Sequence, residues 1–319
     1  MTSGDRLRSG LIKATLAAGA LSAGAVGLLL GEVKLARRAI GTSDQRPPSG
    51  DGEYGDDQPG EPISLLVLGD SAAVGYGLAD ADSTPPALMG LSLSYLLEAP
   101  VIVHSEARVG ATSAGLREQI DLGLAWGKPD VAVIIIGTND VTHRVRAEVS
   151  ARRLGQQVRR LEDAGCEVIV GTVPDLGTVR PIPQPLRWVA RRNGRRLAER
   201  QMIVTVENGG RAVSLGDLLG PVFSEKFDVM FGTDRFHPSA TGYANMVAVL
   251  VPSIAAAVRQ PEDADTGPGS GTVMQLSDAA SRANRIVGTE VRRAGRRAAV
   301  QTRRAIRPMR NRRAATPSR

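Results

Sequence analysis

Hydrophobic and polar positions follow two alternating periods through the middle of the chain. Apolar runs of strand length and β-branched content fall at 63–68, 100–103, 130–136, 166–173 and 202–206. Between them, apolar residues recur at helical spacing near 86–97, 113–125, 146–164 and 186–200, and again at 239–258. The strand-like runs are nearly continuous in apolar residues, which is how strands covered on both faces read. This alternation predicts an α/β protein: a parallel sheet with helices on both faces, a three-layer α/β/α sandwich. Such sheets bind ligands beyond the carboxyl ends of their strands. The residues directly after each apolar run are therefore the places to look for chemistry.

The flanks have a different pattern. Residues 14–31 form eighteen positions without a charge, with Arg6, Arg8 and Lys13 before them and Lys34, Arg37 and Arg38 after. That is about the minimum for a spanning helix, and a cleaved signal peptide cut near Ala23-Gly24-Ala25 is the alternative. Residues 1–40 are thus expected to be a membrane anchor or signal segment that exports the rest. Residues 41–62, dense in Gly, Pro and Asp, read as a linker. The catalytic domain is expected over 63–258, and 259–319 as a second linker with an Arg-rich tail. In that tail Val287, Val291, Ala294 and Ala298 fall at helical spacing, so a basic amphipathic helix is open to it, but the expectation is a solvated and largely disordered basic tail.

Charge changes the picture only at this end. The formal net charge is +7, but residues 282–319 hold thirteen Arg and one Glu, so the remainder is acidic overall. Paired with an N-terminal anchor, such a tail suits anionic membrane or envelope surfaces and carries no signal for specific nucleic-acid recognition. Aromatic residues make up only 3%, which argues against a base-stacking platform. One cysteine, Cys166, excludes an internal disulfide and a cysteine metal cluster, and its apolar surroundings predict a core position.

Four short blocks carry the candidate chemistry. Ser71 follows the first strand in "GDSAAVGYG", whose spacing fits neither a dinucleotide loop nor a phosphate loop. Nor is it G-x-S-x-G, because Ala73 stands in the last position. A nucleophilic serine needs a base, and the chain has three histidines. His104 ends the second run, His143 follows "TNDVT", and His237 lies in "DRFHP" three residues after Asp234. A carboxylate so close can hold an imidazole in one tautomer, which singles out His237. Gly110, after the second strand, and Asn139, in "IIIGTND" after the third, are placed to donate hydrogen bonds to a developing oxyanion. Each block alone also reads as ordinary turn or capping chemistry.

In this order the four blocks resemble the SGNH or GDSL hydrolase family, over roughly residues 63–258. The resemblance implies a flavodoxin-like sandwich acting as a serine esterase or lipase with no metal or other cofactor. It implies Ser71 as nucleophile, His237 as general base, Asp234 as its orienter, and Ser71, Gly110 and Asn139 as the oxyanion hole. The substrate class it implies is an acyl ester: a short-chain ester, a lipid or an acylated saccharide. Two positions depart from the family's usual blocks: Ala72 follows Ser71, and "SEARVG" lacks an Asn before its glycine. A carbohydrate O-deacetylase, an acyltransferase, or an idle envelope-binding scaffold would share the same fold.

Overall fold

The computed structural model describes residues 47–216, 225–259, 272–294 and 297–302. In chain order its elements are β1 (Gly52–Tyr54), β2 (Ile63–Gly69), α1 (Ser71–Val74), α2 (Pro85–Leu97), β3 (Val101–Ser105), α3 (Leu116–Trp126) and β4 (Val131–Ile135). They continue with α4 (Thr138–Thr142), α5 (Ala147–Asp163), β5 (Glu167–Gly171), α6 (Leu186–Glu207), β6 (Arg211–Val213), α7 (Phe227–Met230) and α8 (Ala240–Arg259). The last four are β7 (Thr272–Met274), α9 (Leu276–Ala283), β8 (Thr289–Ala294) and β9 (Arg297–Thr302).

Five strands run parallel in the order β3-β2-β4-β5-β6, with Leu65 opposite Val131 and Gly69 opposite Ile135. Alternate residues of β2 feed two separate cores, because successive side chains point to opposite faces. Leu65 and Val67 pack with Leu88 and Leu93 of α2 and with Val247, Leu250 and Ile254 of α8. Leu66 and Leu68 pack with Leu116 and Ile120 of α3 and with Leu154 and Val158 of α5. This is the α/β/α sandwich read from the sequence. The strand order reverses at β2, which places β3 on one side of it and β4 on the other. The crevice where such sheets bind ligands therefore opens at the carboxyl ends of β2 and β4.

Four expectations are corrected. The run at 202–206 is not a strand. It is the last turn and a half of α6, with Met202, Thr205 and Val206 buried at helical spacing. The strand is instead the short β6 at 211–213. Within the expected linker, Gly52–Tyr54 forms an edge strand antiparallel to β3, anchored where the Tyr54 hydroxyl donates to the Gly50 carbonyl. Burial pushes that hydroxyl's pKa up to about 12. The Arg-rich segment is neither helix nor solvated tail over 289–294 and 297–302. β8 pairs antiparallel with β6, and β9 and β7 follow it in the same sheet. The exposed N–H and C=O groups of the β6 edge supply the reason, since an unpaired edge is satisfied by adding strands. The sheet accordingly continues past residue 258, where the sequence placed the end of the domain.

Cys166 is buried, as expected, and burial raises its thiol pKa. The uncharged stretch 14–31 lies outside the described residues. One described helix, α8, is long and apolar enough to cross a membrane, but 67% of its apolar window is buried inside the molecule. It behaves as a core helix.

Candidate active site

The turn after β2 is built so tightly that few sequences would fit it. Gly69 has φ of 141°, and a Cβ there would stand 1.9 Å from the Ile135 carbonyl oxygen of β4. Only glycine allows that approach. The buried amide of Gln119 clamps the same residue from the α3 side, accepting from its N–H at 2.8 Å and donating to its C=O at 2.9 Å. Asp70 then caps α1, its carboxylate accepting from the Ala72 N–H at 3.0 Å. Its other oxygen accepts from the Gly137 N–H at 3.3 Å, which joins the turn after β2 to the turn after β4. Burial pushes the Asp70 pKa up to about 6, against the two backbone donors and His237, which lower it. Ser71 is therefore the first residue of a helix fixed on three sides, with a side chain only 7% exposed.

His237 comes from a loop between α7 and α8. Phe231 bridges to Pro238, the Gly232 N–H donates to the His237 carbonyl, and the Ser239 N–H to that of Met230. Inside this closed loop Asp234 folds back on its own backbone. One of its oxygens accepts from the N–H groups of Phe236 and His237, each at 3.0 Å. Its second oxygen lies 2.5 Å from His237 Nδ1. Burial works to raise the Asp234 pKa. The hydrogen bond from His237 and the two backbone donors outweigh it and leave the carboxyl below its ordinary value. His237 Nε2 lies 3.0 Å from Ser71 Oγ. The Tyr76 and Phe236 rings flank the imidazole, with centroids 4.6 and 5.0 Å away.

The structure thus brings Ser71, His237 and Asp234 into one hydrogen-bonded chain, although 166 residues separate the first two. Gly110 is exposed, with φ of 81° and open space beside it, on the loop after β3. Asn139, in the first turn of α4, donates from Nδ2 to the Ala111 carbonyl at 3.0 Å, which ties its amide to the residue next to Gly110. The other two histidines take no part. His104 lies between Asp51 and Glu106 and stacks on Trp126, and His143 is exposed at the end of α4. Among the described residues no group of three His, Cys, Asp or Glu side chains is arranged to hold a metal.

Sequence reasoning missed two supports. Tyr243, fully buried in the first turn of α8, donates to the Tyr76 carbonyl at 3.0 Å and so holds the end of the serine turn against the helix that follows His237. Asp140 accepts from the N–H and hydroxyl of Ser113 at 2.8 and 2.6 Å, which fixes the loop carrying Gly110 to α4. Tyr243 lies five residues beyond the block that holds His237, and Asp140 is the last residue of the block that holds Asn139. The signal was a polar residue at a position where helix periodicity demands burial.

The profile of the GDSL-like lipase/acylhydrolase family matches residues 67–244, more than half of the chain. The chain belongs to this family. It is 42% identical over 233 residues to the GDSL-like esterase Rv1075c of Mycobacterium tuberculosis, covering 69% of this chain and 74% of that protein. Family membership makes it a hydrolase of the esterase type. Among solved structures, a catalytic mutant of Axe2, an acetylxylan esterase from Geobacillus stearothermophilus, superposes with a TM-score of 0.50 at 18% identity. That match covers 60% of this chain and 94% of the other. A lipase/acylhydrolase from Enterococcus faecalis matches at 0.49 and 22% identity, covering 63% of this chain and all of that one. The Axe2 likeness is one of fold.

Proposed function

We propose that the protein is a serine esterase or lipase that hydrolyses carboxylic esters through an acyl-enzyme on Ser71. The observation that carries this reading is the relay itself, with Ser71 Oγ 3.0 Å from His237 Nε2 and His237 Nδ1 2.5 Å from Asp234. The contact with an ionised carboxylate puts the imidazole proton on Nδ1, leaving Nε2 to accept from the serine hydroxyl. As the Ser71 oxygen bonds to the ester carbonyl carbon, its proton passes to Nε2. The carbonyl oxygen takes the negative charge. When the C–O bond to the alcohol breaks, Nε2 returns that proton to the leaving oxygen. Water repeats the sequence on the acyl-enzyme and releases the acid.

Three donors would receive the oxyanion: the Ser71 and Gly110 backbone N–H groups and the Asn139 amide. An amide nitrogen carries two N–H bonds. Asn139 gives one to Ala111, and the second is left for the substrate. The uncharged stretch at 14–31, with basic residues on both sides, supports export of the enzyme to the cell envelope, anchored or released by cleavage. The test is hydrolysis of p-nitrophenyl esters from acetyl to long acyl chains, alongside Ser71→Ala and His237→Ala. Loss of turnover in both variants, with folding intact, is the expected result. Equal turnover in Ser71→Ala and wild type would overturn the acyl-enzyme.

A further inference from the structure

A cavity of about 460 Å³, lined by none of Ser71, Asp234 and His237, lies beside α4. Its walls are the turn from α4 to α5 and the first half of α6. Val141, Val145, Leu186, Val189 and Leu197 give it an apolar lining. Its size is within the range of small-ligand sites.

The charged groups around it are three arginines and one carboxylate, Glu148. Arg196 is paired with Glu148 at 2.6 Å, so those two charges cancel locally. Arg144 and Arg146 also line the cavity, and among the described residues neither has a carboxylate partner. Both are exposed. Arg144 is held at φ of 57°, a left-handed conformation uncommon outside glycine, by a turn in which its N–H donates to Val141 and that of Val145 to Asp140. Asn193, on the α6 side, adds an amide donor. An apolar interior with two uncompensated guanidiniums and an amide at its walls matches a ligand with an aliphatic body and one anionic head.

We infer that this cavity is a binding site for a medium-chain aliphatic carboxylate, with Arg144 and Arg146 holding the carboxylate and Val141, Val145, Val189 and Leu197 the chain. A neutral alcohol of equal length would bury the same surface and leave both guanidiniums unmatched. A short acid such as acetate would pair the head and leave the apolar walls wet. Only the combination uses the whole lining. The inference stands on the cavity and its charges, and does not require the Ser71 chemistry.

The experiment is calorimetric titration of the full-length protein with decanoate, decanol and acetate at low and high salt. Decanoate is expected to saturate, to bind at least about tenfold more tightly than decanol, and to weaken with salt because its charge pairing is at the surface. Arg144→Gln with Arg146→Gln is expected to weaken decanoate at least about tenfold, to the level of decanol. Arg117→Gln with Arg152→Gln removes the same charge from exposed positions outside the cavity and is expected to change nothing. Val189→Trp, which fills the space, is expected to abolish binding while both arginines remain. Absence of saturation, equal binding of decanol, or equal weakening by the two arginine pairs overturns the site. A protein that hydrolyses p-nitrophenyl acetate but fails to bind decanoate loses this inference alone. One that binds decanoate but cleaves no ester loses the proposed activity alone.

Discussion

Ser71 is held by its neighbours more than by its own contacts. Gly69 gives the turn its shape and Asp70 locks it to β4, so that Oγ meets His237 without further rearrangement. Ser71→Ala and His237→Ala are each expected to lower kcat by roughly 10⁴-fold or more, since the members of such a unit fail together. Circular dichroism and Tm should match wild type. Asp234→Asn is expected to cost on the order of 10⁴ in kcat by presenting the wrong imidazole tautomer, with KM little changed. Asp70 makes a different prediction. Its pKa is about 6 in the fold against an ordinary 3.8, so the native state keeps this proton to higher pH than the unfolded chain does. The resulting stabilisation is complete below about pH 4 and is lost as pH rises through 6, an effect of roughly 3 kcal/mol. Asp234, lowered in the fold, acts in the opposite sense and costs stability only as pH falls below its ordinary range. Urea unfolding at pH 4 to 7 should show the decline, and Asp70→Asn should flatten it.

Among the elements, those whose pattern was set by burial were legible in the sequence. β2, β4 and β5 are covered on both faces and read as nearly continuous apolar runs, broken only by Ser64 and Glu167 near their starts. The turns after β2 and β4 carried their chemistry in plain view because glycine, aspartate and asparagine there have no packing role to disguise them. The misreadings share a cause. In 202–206, β-branched residues favour a strand only through packing against a sheet's neighbours, and the helical frame that α6 begins at Leu186 buries Met202, Thr205 and Val206 instead. In 287–298 four apolar residues at helical spacing concealed two strands, β8 and β9, that pair antiparallel. The partner for β8, the edge of β6, is not visible from the tail's own sequence. At this scale Gly69→Ala is the informative change. Both the left-handed φ and the Ile135 carbonyl oppose a Cβ, so a loss on the order of 3 kcal/mol in chemical unfolding is expected, with loss of activity from a displaced Ser71.

Taken as a whole, the molecule is a five-stranded parallel centre with antiparallel strands added at both margins. The addition beyond β6 has its own core: Ala279, Ala280 and Ala283 of α9 with Val291, Ala298 and Val300 pack on Met202, Val206 and Ala212. Glu290, fully buried, faces Arg211 across the join at 3.7 Å. A chain ending at residue 271 would expose that surface and the bare edge of β6. It is expected to melt at a lower temperature and to self-associate in light scattering, even though every residue of the Ser71 relay is retained.

The strand order also fixes what lies near the reactive turn and what does not. β1 stands two strands from β2, whereas β9 stands five away, roughly 10 and 24 Å at the usual spacing. A dye or support coupled to a residue of β9 itself is thus more than twice as far from β2 as one coupled to β1. Of the two, coupling through β9 is therefore the choice that disturbs the Ser71 turn less.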